Sequence, residues 1–244
     1  EVAGEPLGRT FFDQPVVIFR TEAGKVAVLD DVCPHRFAAL HPGRILGDAI
    51  ECPYHGLRFG TDGACAHSPF SDKPPRAQRV RSYPVVETDG FIWFWYGDPE
   101  LAAGTPVPDL SEVRQTPTTE LIRIHNHMNA DFMLGLDNLL EGSHVGFLHR
   151  DSFSQGTDEL AQLFINGDYN SYEEGGRVYS CWQFSETPSD YVKTYWQAPA
   201  ICVIEKGQDH SIPPKPRRVI GLHLFTPETE KSAHYFAVEA FDPE

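Results

Sequence analysis

Short runs of apolar and β-branched residues, separated by turn residues, make up the first part of the chain. Runs of this length and composition predict β-strands rather than helices. Four such runs are Pro15–Arg20, Val26–Asp30, Pro84–Thr88 and Phe91–Tyr96. The last two flank Asp89-Gly90, a dipeptide typical of a two-residue hairpin. This pattern predicts an all-β domain over residues 1–100.

The pattern changes over residues 101–119, where prolines replace large apolar residues and predict a linker. From Asn129 to Phe147 polar and apolar positions recur at three- and four-residue spacing, which predicts a helix. The later apolar runs predict strands over Arg177–Phe184, Ile201–Glu205, Arg218–Thr226 and Ala233–Phe241. We therefore expect an α+β domain with an antiparallel sheet over residues 120–244, and an α+β class for the chain.

The composition limits the possible binding partners and the cellular compartment of the protein. The chain of 244 residues has 20 basic and 35 acidic residues, a net charge of −15, which disfavours nucleic acid and anionic membranes. No apolar run approaches the roughly 20 residues of a membrane helix. The 5 cysteines are too few for a disulfide framework. They favour a reducing cytoplasm, with some cysteines as metal ligands.

Two short motifs in the β-rich part each offer one thiolate and one imidazole. They are Cys33-Pro34-His35 and Cys52-Pro53-Tyr54-His55-Gly56. Two facing loops of this kind can hold a Rieske [2Fe–2S] cluster, with both cysteines on one iron and both histidines on the other. A structural zinc site is the alternative, although its usual order places both cysteines before both histidines.

A second candidate site lies on the predicted helix. Asp137, Glu141 and His144 fall on one helical face, and His149 follows five residues after His144. Two histidines and a carboxylate form the iron-binding triad of non-haem Fe(II) oxygenases. Both imidazoles can reach one metal only if the helix bends or ends between them. Gly142 and Gly146 are placed to allow this.

The two motifs and the segment from Asp137 to His149 resemble the Rieske non-haem iron oxygenases, most closely the group of dicamba and vanillate O-demethylases. Leu224–Glu230 and His234–Phe236 also resemble that group. The resemblance implies that Cys33, His35, Cys52 and His55 hold the cluster, and that His144 and His149 bind a mononuclear Fe(II).

The resemblance also implies an arrangement of subunits. A carboxylate at the position of Glu141, beside Asp137 and Asn138, would link the iron site to the cluster of the neighbouring subunit in a trimer. Glu141 is one methylene longer than the usual Asp. No residue of the chain matches the third, carboxylate ligand, and we expect that ligand beyond Glu244.

The expected function is that of a terminal oxygenase component. A ferredoxin or reductase would bring electrons from NAD(P)H, and O₂ would be used to O-demethylate or hydroxylate a small aromatic acid. One alternative is a soluble Rieske electron-transfer protein with a non-catalytic second domain. Another is a zinc-stabilised interaction protein. Scattered histidines such as His223 are expected to be ordinary core or surface residues.

Overall fold

The computed structural model describes residues 4–73, 77–111, 120–207 and 219–241. The chain divides into two compact units, Glu1–Asp109 and Leu110–Glu244. This boundary falls inside the segment predicted as a linker. Part of that segment lies outside the described residues, so its bounds stay a prediction. None of the helices in the described ranges has the length and apolar character needed to cross a membrane.

The first unit is built from short antiparallel strands and one single-turn helix, α1 (Pro99–Ala102). The strands are β1 (Leu7–Phe11), β2 (Gln14–Arg20), β3 (Val26–Asp30), β4 (Arg44–Leu46), β5 (Ala49–Glu51), β6 (Arg58–Gly60), β7 (Cys65–His67), β8 (Ser82–Tyr83), β9 (Val85–Thr88) and β10 (Phe91–Phe94). They form sheets in the orders β1-β2-β3-β8 and β4-β5-β6-β7, and the hairpin β9-β10. The predicted all-β class is confirmed.

Strand β2 is buried on both faces because it separates two hydrophobic clusters. Val17 and Phe19 face one cluster, while Val16 and Ile18 face the other. The first cluster also contains Cys33 and Cys52, so the two cysteine motifs are anchored in the core of this unit. At the predicted hairpin, Asp89 and Gly90 both have positive φ, 56° and 79°, as a turn with left-handed central residues requires.

The second unit is one seven-stranded antiparallel sheet with helices packed on it. Its strands are β11 (Glu120–Met128), β12 (Asp168–Glu174), β13 (Arg177–Gln183), β14 (Tyr191–Gln197), β15 (Ile201–Lys206), β16 (Val219–Thr229) and β17 (Ser232–Phe241). Their order is β11-β17-β16-β15-β14-β13-β12. The helices are α2 (Phe132–Leu140), α3 (Val145–Leu148), α4 (Arg150–Phe153) and α5 (Glu159–Asn166).

The helix predicted over Asn129–Phe147 is shorter and interrupted. Helix α2 begins after Asp131, whose carboxylate caps it by accepting the Met133 N–H at 2.8 Å. It ends at Leu140, because Glu141 has extended backbone angles, φ −93° and ψ 96°. The prediction that Asp137, Glu141 and His144 share one helical face is therefore wrong, since only Asp137 lies in α2.

Helix α2 covers one face of the sheet. Leu136 packs against Cys202 of β15 and Phe225 of β16, and Ile204 and Tyr235 adjoin the same cluster. A Cβ atom on Gly135 would lie 2.4 Å from the Phe225 ring, so the close approach of helix and sheet depends on glycine there. We call this side of the sheet the helix-covered face.

Candidate metal centres

The two cysteine motifs adopt the same hydrogen-bonded loop. The Cys33 N–H donates to the carbonyl of Ala38 and the Cys33 carbonyl accepts the Phe37 N–H, both at 2.8 Å. In the second loop the Cys52 N–H donates to Leu57, and the Cys52 carbonyl accepts the Gly56 N–H. Phe37 and Gly56 occupy equivalent positions and both have positive φ, 58° and 72°. Two copies of one loop thus present two equivalent Cys-His pairs.

The pairs place sulfur inside and nitrogen outside. Cys33 and Cys52 are buried and belong to the same hydrophobic cluster. Burial is the main reason that the pKa of the Cys33 thiol rises to about 11 without metal. The half-buried rings of His35 and His55 lie with centroids 4.7 Å apart. This order, two thiols below two imidazoles, matches the asymmetric ligation of a Rieske cluster.

One ring nitrogen of the first Cys-His pair is buried in a position that a metal ligand would occupy. Nδ1 of His35 is buried and has no hydrogen-bond partner among the described residues. Such an atom is costly in an apolar setting unless something binds it. A metal ion would satisfy it, so the donor set fits an iron–sulfur cluster. The Phe70 ring lies 6.1 Å from His35 and 6.2 Å from His55 and shields this region.

Residues that the sequence analysis missed hold these loops. The Asp31 carboxylate accepts the backbone N–H groups of Leu40 at 2.6 Å and His41 at 2.7 Å, which closes the first loop. Glu51, directly before Cys52, bonds Arg44 at 2.7 Å and Arg58 at 2.8 Å. Burial alone would raise the pKa of Glu51, but the two guanidinium groups outweigh it and lower that pKa.

The second candidate site lies at the two ends of helix α3. His144 is the residue before its first turn, and His149 follows its last turn and is the N-cap residue of α4. Their ring centroids are 5.6 Å apart. The chain leaves helical geometry twice here: α2 ends at Leu140, before His144, and α3 ends at Leu148, between the two histidines as expected. A single helical turn therefore brings both imidazoles to one side.

The His144 ring is oriented by its neighbours. Its Nδ1–H donates to the backbone carbonyl of Glu141 at 2.5 Å and lies 3.1 Å from the carboxylate of that residue. This leaves Nε2 as the nitrogen with a lone pair, the state that a metal ligand needs. Asn138 of α2 contacts Nε2 through its amide nitrogen at 3.3 Å.

Glu141 combines an inward contact with an exposed carboxylate. Its carboxylate accepts from the Ser143 N–H at 2.8 Å and from the Ser143 hydroxyl, which fixes the turn before α3. The bond with the Ser143 hydroxyl is the main reason that the pKa of Glu141 is lowered. Its side chain is 56% exposed, while that of His144 is 21% exposed. Glu141 can therefore touch His144 and an outside group together.

Helix α3 is fixed by close packing rather than by a bend. A Cβ atom on Gly146 would lie 2.3 Å from Cα of Ala161 in α5, so only glycine permits this contact. Gly142 similarly lies against the indole of Trp182. Arg150 pairs with Asp158 at 2.7 Å and joins α4 to the start of α5.

Among the residues that the structure describes, no third Cys, His, Asp or Glu side chain joins this pair as a ready metal-binding group. Asp137, predicted beside the site, is exposed on α2. The third ligand stays a prediction. Taken together, the two units define a protein with a Rieske-type donor set and a separate pair of histidines on helices over an antiparallel sheet.

Comparison with known proteins agrees with this class. Residues 1–84 match the Rieske [2Fe-2S] domain family, and residues 128–243 match the vanillate O-demethylase oxygenase C-terminal domain family. The chain therefore belongs to the Rieske non-haem iron oxygenases, as an oxygenase component with a [2Fe–2S] domain. A zinc protein and a purely electron-transferring protein are not favoured.

Relatives match over nearly the whole chain. The oxygenase component of dicamba O-demethylase from Stenotrophomonas maltophilia is 35% identical over 97% of this chain and 73% of its own length. An iron-sulfur subunit of the toluene-4-sulfonate monooxygenase system from Comamonas testosteroni is 31% identical over 98% and 75%. A crystal structure of dicamba monooxygenase bound to 3,6-dichlorosalicylic acid has a TM-score of 0.82 and 30% identity, covering 99% of this chain and 76% of that chain.

Proposed function

We propose that this chain is the terminal oxygenase of a multi-component system that O-demethylates or hydroxylates a small aromatic acid. Cys33, His35, Cys52 and His55 hold the [2Fe–2S] cluster, and His144 and His149 hold the mononuclear Fe(II). The cluster supplies electrons, and the iron supplies a site for O₂ chemistry. Support for the substrate class comes from relatives named for dicamba and toluene-4-sulfonate.

The observation that carries the proposal is the placement of Glu141 against His144. A carboxylate that contacts a ligand histidine and is also exposed can receive a second histidine from another subunit. We propose a trimer in which Glu141 makes this link, with Asp137 and Asn138 flanking it. The electron donor is a ferredoxin or a reductase that draws on NAD(P)H. None of the five cysteines, all of which are described, forms a disulfide, and we propose a reducing cytoplasm as the compartment.

The test compares three proteins in a reconstituted system with reductase, NAD(P)H and a panel of methoxylated aromatic acids. We expect the parent to form product and release formaldehyde when the step is O-demethylation. Glu141→Gln keeps the size but loses the charge, so product formation should fall at least tenfold with the cluster spectrum and iron content retained. His144→Ala should instead lose the mononuclear iron.

Two results would contradict the proposal. Glu141→Gln could turn over at the parent rate, which would remove the carboxylate link. Alternatively, the parent could carry about two irons per chain rather than about three, the sum of a [2Fe–2S] cluster and one Fe, and oxidise no aromatic compound.

A further inference from the structure

A cavity of about 250 Å³ lies beside His35 in the first unit. The residues that line it include Ser68, Phe70, Ser71, Lys73 and Gln78. His55, the other proposed imidazole ligand of the cluster, does not line this cavity. The cavity is therefore next to one of the two imidazoles only.

Two serine hydroxyls of the cavity wall still have a hydrogen to donate. Ser68 accepts the N–H of Phe70 at 3.3 Å, and Ser71 accepts the N–H of Lys73 at 3.2 Å. A hydroxyl that accepts through its oxygen keeps its own O–H as a hydrogen-bond donor. Ser68 is only 7% exposed, so its hydroxyl belongs to the wall rather than to the solvent. The wall can therefore donate hydrogen bonds to a ligand.

Lys73 gives the cavity a positive charge. Among the residues that the structure describes, its ammonium group has no carboxylate partner. The neighbouring Asp72 is exposed and is not one of the lining residues, so Lys73 is the permanently charged group of the wall. An ammonium group beside two hydroxyls matches a carboxylate, which accepts several charge-assisted hydrogen bonds.

The amide of Gln78 indicates that the cavity binds a polar group. Its Oε1 atom is buried and has no hydrogen-bond partner in the described part of the chain. A buried acceptor is costly to leave unsatisfied. A water molecule between this atom and a bound carboxylate would give both a hydrogen bond.

Phe70 adds an apolar surface to this polar site. Its side chain is 68% exposed, and its ring centroid lies 6.1 Å from that of His35. Exposed aromatic rings next to a charged group are typical of protein–protein interfaces. A small free acid in the cavity would leave this ring in water, whereas a protein would cover it. The surface therefore favours a carboxylate that belongs to a protein.

We infer that this cavity receives a carboxylate side chain of the electron-donor protein, so that this protein docks against His35. The inference rests on the proposed function and names the surface at which electrons enter. In each encounter the partner loses one electron and the cluster gains it, and no bond is made or broken. Attraction between Lys73 and an acidic partner would also speed their encounter. The proposed link through Glu141 then uses the other imidazole, His55.

The experiment follows cluster reduction by stopped-flow absorbance, using the full-length protein with cluster and iron loaded. The probe is a reduced plant-type [2Fe–2S] ferredoxin, an acidic protein whose reduction potential lies below that of a Rieske centre. Lys73→Gln should slow reduction by about 3- to 10-fold at low salt, and added salt should slow the parent more than the variant. Lys73→Arg should restore most of the rate, because the charge returns. Reduction by photoreduced deazariboflavin, a small uncharged molecule, should change less than about twofold.

Lys25→Gln is the charge-matched control within the same unit. Lys25 contacts the Thr61 hydroxyl at 3.3 Å, and Thr61 follows β6 at the end opposite the loop of Cys52. This variant should be reduced at the parent rate. A second measurement starts from a cluster that is already reduced and follows one turnover with O₂ and a methoxylated aromatic acid. Lys73→Gln should form product there at the parent rate, because electron entry is bypassed.

The outcomes separate this inference from the proposed function. Ferredoxin reduction that Lys73→Gln leaves unchanged, or equal slowing with deazariboflavin, would overturn the docking site. Equal slowing of the single turnover from a reduced cluster would also overturn it, because the carboxylate in the cavity would then be Glu141 of a neighbouring subunit. Reduction that depends on Lys73, in a protein that oxidises no aromatic acid, would support the docking site and contradict the proposed function.

Discussion

A backbone conformation shared by Phe37 and Gly56 is the clearest feature at the scale of single residues. Glycine accepts a positive φ without cost, whereas a bulky residue there is strained by about 1–3 kcal/mol. The sequence marks the second loop by the glycine after His55, but nothing in it marks Phe37 as the equivalent position. Phe37 is 80% exposed, so its ring contributes little burial that would offset the strain.

We therefore expect Phe37→Gly to raise the free energy of unfolding by about 1 kcal/mol, the relief of strain less the greater freedom of glycine in the unfolded chain. Urea unfolding of the protein with its cluster loaded, followed by the visible absorbance of the cluster, measures the change. Gly56→Ala, the converse change in the matching loop, should lower stability by a similar amount. A stabilising Gly56→Ala would contradict the equivalence of the two loops.

The identities of the candidate ligands, by contrast, could be predicted from the sequence. Cys33, His35, Cys52 and His55 share a spacing that few other sites use, and the structure brings their rings and thiols together. The support around them could not be predicted. Asp31 closes the first loop through backbone N–H groups nine and ten residues away. No local pattern encodes such a contact.

At the scale of elements, the sequence predicted one helix where the chain forms two. In the sequence the helical spacing continues past Leu140, because Glu141 follows Asp137 by four residues and His144 follows Glu141 by three. The chain nevertheless leaves the helix at Glu141, where the backbone is extended and the carboxylate accepts the Ser143 N–H. Gly142 and Gly146 were expected to allow a bend. They instead allow close packing on Trp182 and Ala161. Such packing depends on contacts between distant parts of the chain, so it cannot be predicted from sequence periodicity.

Gly146→Ala tests whether packing of α3 on α5 holds the histidine pair. The added methyl group has no room beside Ala161, so α3 must shift and separate His144 from His149. We expect about 1–3 kcal/mol of destabilisation and loss of the mononuclear iron, with the cluster spectrum kept. Metal analysis and chemical unfolding measure both effects. Gly104→Ala, whose Cβ would meet only the Leu101 carbonyl at 3.8 Å, is the control and should keep every iron.

At the scale of the whole molecule, the two-domain order and the antiparallel sheet were predictable because each strand run is local. The sheet order was not. Strand β11 pairs with β17, so that Ile124 lies opposite Ala237 across more than a hundred residues. Strand β12 is exposed at every position. Its sequence therefore lacks the alternation of apolar and polar residues by which a strand is predicted.

The proposed assembly predicts that electrons cross between subunits. Cys52→Ser removes a cluster ligand, and His144→Ala removes an iron ligand, so each variant alone should be inactive. Mixed trimers should regain part of the parent activity, because an intact cluster then faces an intact iron site on a neighbouring subunit. Co-expression with two affinity tags isolates the mixed trimers. Mixed oligomers that stay inactive, or a fully active monomer, would contradict the inter-subunit link.

The proposed function requires that the cluster held by Cys33, His35, Cys52 and His55 delivers electrons to iron held by His144 and His149. The most direct test reduces the cluster without reductase, adds O₂ with a methoxylated aromatic acid, and follows cluster absorbance and product in one time course. In the parent, cluster reoxidation and product formation should proceed together. In His144→Ala, the cluster should stay reduced at least tenfold longer and no product should form. Reoxidation and product formation in His144→Ala at the parent rate would contradict the account.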